Sequence, residues 1–406
     1  MKKIQILWLS MYAPISTDSS GGGHTFNYYF NQFRFDNRFE LRLISCGKYK
    51  ERDTINNELS NLSHSIIYWG DPNHSKVSKL INLESKYSIF NRNAQLVSNT
   101  EEKEIIDLLC GLKKDGYVPD VVILEWTNMV VLARIVRSIF ADVKIVASEH
   151  DVTFVGYKRK ADFYKGFSKI VWNCKYKKEK KIEIENLKLC DLILPHNSEN
   201  KAILVQNGIP KDKIVGLVPY YKKMTYLKRN SNNRDILFFG AMSRKENYLS
   251  AKWFVENVLP RLSDLDIRFV ILGGNPPDFI KEYESQRVHI TGFVDSIDSY
   301  FSDSLCFVAP LLLGAGIKIK VLEALSSGIP VLTNDIGIEG IPAQDGREFY
   351  RCLSAEDYEH RIRQIYDHNF KEIDMERNAK YFVEREFSYE SFSKIYRDKI
   401  ETMGKK

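Results

Sequence analysis

The chain lacks the features of a membrane span and of a disulfide-rich scaffold. None of its apolar runs reaches the roughly 18 uncharged residues that a membrane-spanning helix needs. Its six cysteines are scattered with no close pair, which argues against a disulfide framework or a cysteine metal cluster and fits a reducing cytosol. The apolar run near the N-terminus is short and leads into a polar, glycine-rich stretch, so we interpret it as a buried strand and not as a signal peptide.

The length and composition are those of a globular protein with more than one core. A chain of 406 residues is too long for a single ordinary core and predicts two domains. The net charge of +6 is concentrated in Gly156–Lys188, where eleven Lys and Arg accompany four Asp and Glu. No compact nucleic-acid-binding motif lies in that segment, so nucleic acid is not an expected partner.

Apolar strands alternate with helices along both halves of the chain, which predicts an α/β protein with parallel, doubly wound sheets. Residues 48–95 are polar and irregular, and we expect an insertion with helical pieces there. Lys222–Arg234 is polar and turn-rich and is the predicted linker. Strands of the first half are expected at Ile4–Ser10, Phe39–Ser45, Asp120–Leu124, Val143–Ala147 and Asp191–Pro195.

Two polar segments follow strands of the first half. Gly21–Gly23 and His24 separate the first strand from an aromatic-rich helix at Phe26–Phe33. His150 and Asp151 follow another strand, where an imidazole can orient a hydroxyl or move a proton. Because open α/β sheets bind ligands outside the carboxyl ends of their strands, both are candidate binding segments. The alternatives are a flexible loop and a surface histidine.

Pro310–Thr333 reads PLLLGAGIKIKVLEALSSGIPVLT and predicts a strand, a turn at Gly314–Gly316, an amphipathic helix and a second strand. The helix carries Lys318, Lys320 and Glu323. A helix N-terminus favours bound phosphate, so this unit suits a ligand with a diphosphate at one end and hydroxyls at the other. The alternative is that the glycines only turn the chain and the lysines are solvated.

Gly156–Leu189 is predicted to be one long basic helical region with several aromatic residues. Basic and aromatic side chains together suit a surface that faces anionic lipid headgroups. The alternative is an amphipathic helix that packs its aromatic face inward and leaves its lysines in water.

The motifs of the second half, taken in order, resemble those of glycosyltransferase family 4. They are ILFFG, ILGG, ITGFVD, the apolar strand ending in Pro310, GAGIKIKVLEA, GIPV and IGIEGI. The first half matches more loosely, through its glycine cluster and the strand before His150. The resemblance implies the GT-B fold, in which two Rossmann-like domains face a central cleft. It assigns residues 1–220 to an acceptor domain, 221–385 to a nucleotide-sugar donor domain, and 386–406 to a C-terminal helix that packs back on the first domain.

The resemblance implies a retaining glycosyltransferase, of hexosyltransferase type. Such an enzyme moves a sugar from a nucleotide-diphosphate sugar to a hydroxyl of a glycan or lipid-linked acceptor, here in cell-surface polysaccharide synthesis. It implies no metal and no cofactor besides the donor. We further expect a cytoplasmic protein, peripheral on the inner face of the cell membrane through Gly156–Lys181. A nucleotide-sugar epimerase on the same fold and a non-catalytic glycosyltransferase-like partner protein are the alternatives.

Site roles carried over from the family fall on both halves. His150, Lys320 and Glu323 are the catalytic candidates, with Glu323 also expected to hold the donor ribose. His150 is expected to position or polarise the acceptor while the leaving phosphate helps to deprotonate it. Further donor contacts are expected from Gly21, Gly22, Gly240, Arg244, Gly316, Ile317 and Lys318, and acceptor contacts from Gly23, His24 and Asp151.

The sequence departs from the family pattern at two places. The first of two glutamates that many members carry would fall on Ala315. An Arg and a Lys in the loop after the domain-opening strand would fall on Ala241 and Glu246, which leaves Arg244 or Lys245 as substitutes. These departures leave open which cation touches which phosphate.

Overall fold

The computed structural model describes residues 2–16, 21–70, 96–196, 198–230, 234–314, 316–367 and 372–405. The chain divides into two compact units, one formed by Met1–Tyr220 with Tyr389–Lys406 and the other by Tyr221–Ser388. Across the described ranges, no helix is both long and apolar enough to cross a membrane.

The first unit is built on a six-stranded parallel sheet. Its strands are β1 Ile4–Ser10, β2 Phe39–Lys48, β3 Ser63–Trp69, β4 Val121–Glu125, β5 Lys144–Glu149 and β6 Leu192–Pro195. They lie side by side in the order β3-β2-β1-β4-β5-β6. The order reverses between β1 and β4, and such a reversal is where open α/β sheets place their ligands.

The second unit has a six-stranded parallel sheet of its own. Its strands are β7 Asp235–Phe239, β8 Arg268–Leu272, β9 Val288–Gly292, β10 Cys306–Ala309, β11 Val331–Thr333 and β12 Tyr350–Arg351. They lie in the order β12-β11-β10-β7-β8-β9, which read from its other end repeats the order of the first sheet. Both units therefore have Rossmann-like topology.

Helices connect the strands of both sheets. They are α1 Gly21–Arg34, α2 Arg52–Glu58, α3 Asn99–Lys114, α4 Trp126–Val130, α5 Ala133–Ile139, α6 Thr153–Phe163, α7 Gly166–Leu187, α8 Ser198–Gln206, α9 Lys245–Asn257, α10 Asp278–Lys281, α11 Asp298–Asp303, α12 Ile319–Ser327, α13 Ala355–Tyr366, α14 Glu372–Glu386 and α15 Tyr389–Gly404.

The core of the first unit lies on both faces of its sheet. Successive residues of β1 point to opposite faces, so Leu7 and Leu9 enter one apolar cluster while Ile6 and Trp8 enter the other. The buried indole of Trp8 packs against the aromatic face of α1, with ring centroids 5.2–5.8 Å from those of Phe26, Phe30 and Phe33.

The last helix, α15, completes the layer that contains α1. The ring of Tyr396 lies 4.8 Å from that of Phe33, and both side chains are buried. Arg397 of α15 also pairs at 2.9 Å with Asp36, which follows α1. The first unit is therefore assembled from two separate segments of the chain.

The structure differs from the expected elements in the first unit. The polar region after residue 48 contains α2 and the edge strand β3, while residues 71–95 lie outside the described part. The glycine cluster at Gly21–Gly23 is the first turn of α1 and not a loop. The apolar segment Val130–Phe140 predicts one helix, whereas the structure has α4 ending at Val130 and α5 beginning at Ala133. The basic region is two helices, α6 and α7, since the chain is extended at Tyr164 and Lys165 and Gly166 has a φ of 59°.

In the second unit the main difference concerns α9. The sequence predicts a polar loop at Met242–Asn247 and a helix at Tyr248–Leu262, whereas α9 begins at Lys245 and ends at Asn257. A short 3-10 turn containing Pro260 follows. Proline has no backbone N–H to continue the helical hydrogen bonds, which accounts for the early end.

Candidate functional site

Within the second unit, α12 presents its N-terminus just beyond the end of β10. Lys318 occupies the N-cap position, and the helix ends at Gly328, whose φ of 80° favours glycine. The buried residues Val321, Leu322 and Leu325 fix the helix against the core. Gly314 and Gly316 border the turn before it, but residue 315, where the family's first glutamate was expected, lies outside the described residues.

Lys320 lies in the first turn of α12 and is partly buried. Its ammonium donates a hydrogen bond to Oδ1 of Asn247 and lies 5.0 Å from the centroid of the Phe238 ring. Burial lowers the pKa of Lys320 to about 7, against the opposing effect of Glu246. Among the residues that the structure describes, no carboxylate forms an ion pair with it. An arriving anion would therefore find an ammonium that gains stability from the contact.

Gly240 and Asn247 shape the space around Lys320. Gly240 follows β7 with a φ of 155°, and a Cβ there would lie 2.9 Å from Nζ of Lys320 and 2.8 Å from Nδ2 of Asn247. The Asn247 amide donates to the carbonyl of Ala241 at 2.8 Å, which orients its oxygen toward the lysine. The structure thus brings together the predicted Gly240 and Lys320. The role of Asn247 was missed, because no local pattern marks it.

Glu323 lies three residues after Lys320, one turn along α12. Its Oε1 accepts a hydrogen bond from the backbone N–H of Lys222 at 3.2 Å. Burial raises the pKa of Glu323 to about 7, and the nearby Lys222 and Lys320 counteract that rise. A carboxylate in this position can accept hydrogen bonds from neighbouring hydroxyls.

The other predicted donor contacts of this unit have different surroundings. The Lys318 ammonium donates to the carbonyl of Gly316 and lies 3.2 Å from Oε2 of Glu339. Glu339 of the IGIEGI segment therefore holds this lysine. Arg244 is largely exposed and pairs with Glu246 at 2.8 Å. Their contacts with a donor, and that of Ile317, stay predictions.

In the first unit, the ends of β4 and β5 join Glu125 to His150. The buried Glu125 carboxylate receives the Trp8 indole N–H at 2.9 Å and the Ser148 hydroxyl at 2.7 Å, and its Oε1 lies 2.6 Å from Nε2 of His150. Burial raises the pKa of Glu125 to about 7 and lowers that of His150 to about 3. A neutral imidazole that donates from Nε2 leaves Nδ1 as an acceptor. Glu125 was missed as a site residue, although it ends the strand beside the one that precedes His150.

Aromatic rings surround His150 at this edge of the sheet. The Trp126 ring stacks on it with centroids 4.9 Å apart, and the ring of His196, at the end of β6, lies 4.3 Å away. Trp126 has a φ of 64°, a conformation that is strained for a bulky residue. A Cβ on Gly22 would lie 3.4 Å from the Trp126 indole nitrogen and 3.6 Å from Nδ1 of His150.

The remaining predicted residues of the first unit occupy the start of α1 and the loop after β5. Gly21, Gly22 and Gly23 form the first turn of α1, with Gly23 buried. His24 and Asp151 are exposed. The structure therefore places Gly22 beside His150, while the acceptor contacts of Gly23, His24 and Asp151 stay predictions.

Glu149, which ends β5, and its neighbours Glu179 and Glu183 have buried carboxyl groups. Oε2 of Glu149 accepts the Thr127 hydroxyl at 2.8 Å, and Glu183 accepts two backbone N–H groups at the start of α6. Neither carboxyl oxygen of Glu179 has a hydrogen-bond partner in the described chain. Burial raises the pKa of Glu149 and Glu179 to about 8, and burial also raises the pKa of Glu183 well above its usual value. No group of three His, Cys, Asp or Glu with metal-binding geometry occurs in the described ranges.

Comparison with known proteins gives one family match and many structural likenesses. Residues 233–368, which lie in the second unit and include α12, match the family model described as glycosyl transferases group 1. An uncharacterized 44.6 kDa protein in the cps region of Klebsiella pneumoniae is 27% identical over 143 residues. That match covers 32% of this chain and spans 37% of the length of the relative.

Two solved structures illustrate the structural likeness. HepE from Anabaena, in complex with UDP, is 12% identical with a TM-score of 0.65, over 98% of this chain and 100% of that one. Sucrose-phosphate synthase from Thermosynechococcus elongatus is 13% identical with a TM-score of 0.68, over 98% and 99% of the two chains. These likenesses show the fold, and the prediction of a two-domain, Rossmann-like GT-B fold is confirmed.

Proposed function

We propose that this chain is a glycosyltransferase that moves a sugar from a nucleotide-diphosphate sugar to an acceptor hydroxyl. The observation that carries the proposal is the grouping of Gly240, Lys320 and Glu323 around the N-terminus of α12. These residues lie inside the segment that matches glycosyl transferases group 1. Structures of the similar HepE contain UDP or UDP-glucose, which supports a nucleotide sugar as the donor.

The donor diphosphate would bind at the start of α12. The helix N-terminus and the Lys320 ammonium both stabilise negative charge, and that charge grows as the diphosphate leaves. Removing one such contact typically costs about 3 kcal/mol of transition-state stabilisation. Glu323 would accept hydrogen bonds from the ribose hydroxyls, and Gly240 leaves room for the donor beside Lys320.

The acceptor hydroxyl would be positioned by His150. Its Nδ1 can accept a hydrogen bond from a neighbouring hydroxyl of the acceptor, which leaves the proton of the attacking hydroxyl for the phosphate, while Glu125 fixes the ring orientation. The proposed reaction retains the anomeric configuration through attack on the face from which the phosphate departs. The bond from the anomeric carbon to the phosphate oxygen breaks, the bond to the acceptor oxygen forms, and the departing phosphate takes the acceptor proton.

The acceptor is proposed to be a glycan or glycolipid of a cell-surface polysaccharide. The relative from Klebsiella pneumoniae is named for a cps region, which favours this class.

A place on the inner face of the cell membrane is supported by Gly156–Lys181, where ten Lys and Arg accompany two Asp and Glu. At the turn between α6 and α7, Phe163, Phe167 and Ile170 are exposed. Elsewhere in this hairpin, the rings of Tyr157 and Tyr164 each pack on that of Trp172.

A donor screen tests the proposal. The purified protein is incubated with UDP-, GDP- and ADP-sugars, and both thermal stabilisation and released nucleotide are measured. One nucleotide sugar should stabilise the protein, and Lys320→Ala and Glu323→Ala should abolish its turnover while remaining folded. Lys281→Ala, which alters an exposed lysine of the same unit, serves as the matched control.

Three results would contradict the proposal. Near wild-type turnover in both site variants would overturn the site assignment. Release of an epimerised sugar without any acceptor would favour the epimerase alternative. Failure of every nucleotide sugar to bind would favour a non-catalytic partner protein.

A further inference from the structure

We propose that Tyr12, Trp69 and Trp126 form a shelf that binds the apolar face of a sugar ring in the acceptor. The inference rests on the proposed function and names the residues that would hold a sugar ring of the acceptor. The three residues follow or end three strands at the carboxyl edge of the first sheet, namely β1, β3 and β4. This is the edge at which an open α/β sheet binds its ligands.

The three rings form a continuous aromatic surface centred on Tyr12. The Tyr12 ring meets that of Trp69 at 5.8 Å and 74°, and that of Trp126 at 5.2 Å and 90°. Tyr12 is 45% exposed, whereas the aromatic residues of the neighbouring α1 face, such as Phe26 and Phe30, are buried. An exposed aromatic surface at a ligand edge offers π-electron density to the axial C–H groups of a pyranose ring.

Trp126 provides an independent indication that this edge binds a ligand. A non-glycine residue in the left-handed region costs about 1–3 kcal/mol and persists only where its surroundings enforce it. Here the indole is held between Phe26 at 5.2 Å and the stacked His150 at 4.9 Å. Such strain concentrates at binding and catalytic sites. In this chain the strained residue is the shelf residue Trp126, whose ring stacks on the imidazole of His150.

Trp69 is also held in place. Its indole N–H donates to Oε1 of Glu101 at 2.7 Å, and the other oxygen of that carboxylate caps α3 through the N–H of Ser98 at 2.7 Å. The ring is thus oriented before any ligand arrives, which lowers the entropic cost of binding.

A sugar matches the chemistry of this surface better than a lipid tail does. The shelf has a polar group at its margin, namely the acceptor nitrogen of His150 beyond Trp126. A pyranose presents an apolar ring face and a rim of hydroxyls, so one molecule can stack on the rings and hydrogen-bond at the margin. An acyl chain offers no hydroxyl to that nitrogen.

The test measures glycoside binding without any donor. Methyl α-glucopyranoside, methyl α-galactopyranoside and methyl α-mannopyranoside are titrated while tryptophan fluorescence is followed, with uridine as a comparison ligand that stacks through its nucleobase and has no pyranose ring. At least one glycoside should change the fluorescence and saturate. Tyr12→Ala should weaken that affinity about fivefold to tenfold, the equivalent of one lost stacking contact, while Tyr12→Phe keeps it. Phe35→Ala, which removes an exposed aromatic residue outside the shelf, is the control.

The outcomes separate the shelf from the transferase proposal. If no glycoside binds, or if Tyr12→Ala binds as wild type does, the shelf is overturned, whatever the donor screen shows. Saturable binding of uridine alone would overturn it too, in favour of a nucleobase site. If glycosides bind and Tyr12→Ala weakens them while no nucleotide sugar is bound or turned over, the shelf stands as a sugar site and the proposed function fails.

Discussion

Nε2 of His150 lies 2.6 Å from Oε1 of Glu125. Glu125 is only 3% exposed, and its other hydrogen bonds come from Trp8 and Ser148. Trp8 and Ser148 both donate to it, so the ionised carboxylate holds the imidazole proton on Nε2 and leaves Nδ1 for a substrate hydroxyl.

Replacing Glu125 by glutamine should therefore impair turnover more than binding. The amide keeps the shape of the side chain, but its NH2 group can donate to His150 and reverse the ring tautomer. We expect kcat to fall by about tenfold or more, with little change in donor KM. Steady-state kinetics would measure both, with Glu185→Gln on the surface of α7 as the control. An unchanged kcat would remove His150 from the mechanism.

Donor affinity should depend on pH through Lys320. Burial lowers its pKa from 10.5 to about 7, and a bound diphosphate would raise it again. Affinity should therefore be highest below pH 7 and weaken as the pH rises and the free lysine loses its proton. Binding should also take up a proton, which calorimetry in buffers of different ionisation enthalpy would detect.

The matched variant for this prediction is Lys320→Arg. Its guanidinium stays charged throughout the range, so its donor affinity should lose the pH dependence that Lys320 confers. Glu323 titrates in the same range, with a pKa of about 7, and is present in both proteins. The difference between the two profiles thus isolates Lys320, and identical profiles would contradict the prediction.

The buried carboxyl group of Glu179 should make stability fall with rising pH. Burial raises its pKa from 4.5 to about 8, so the folded state keeps a proton that the unfolded state releases. That contribution is fully present below the unfolded pKa and is lost as the pH rises through about 8.

Glu179→Gln isolates this effect, because an amide has no such proton to lose. Urea unfolding at about pH 5 and about pH 8 should show the variant gaining free energy of unfolding relative to wild type at the higher pH. The exposed Glu185→Gln on the same helix should follow wild type at both values. A constant difference between Glu179→Gln and wild type would mean that Glu179 is ionised in the folded protein.

Membrane attachment, if it occurs, should depend on the turn between α6 and α7. Phe167 is 79% exposed there, with Lys165 and Lys169 on either side of it. Phe167→Asp should release the protein from vesicles that contain phosphatidylglycerol, because it removes an apolar anchor and adds repulsion. Phe35→Asp, at a 76% exposed position directly after α1, should have no effect. Equal binding of all three proteins in sedimentation assays would exclude this turn as the anchor.

Local patterns were enough to predict α12 and its surroundings. The apolar spacing predicts the helix, and Gly328 and Pro330 predict its end. These signals all lie within the segment itself, so no contact with a distant residue was needed to predict the helix. The same holds for the buried strands of both sheets, whose apolar runs are bounded by turn residues. The repeated pattern in the two halves also made the two-domain α/β fold predictable.

Contacts between distant residues account for what the sequence did not reveal. Asn247 meets Lys320 across 73 positions, and Glu125 meets His150 across 25. Neither pairing leaves a periodic trace in the chain. The edge strand β3 begins with polar residues and takes its conformation from pairing with β2, so the polar composition pointed to an irregular insertion.

The position of α15 has a consequence for how the protein is made. Tyr396 covers Phe33 in the first unit, yet α15 emerges from the ribosome only after all of Tyr221–Ser388. The nascent first unit therefore waits with part of its aromatic layer uncovered while the second unit is synthesised and can fold. During that interval the exposed aromatic surface can bind chaperones or lead to aggregation. The first unit completes its folding only when α15 packs onto it.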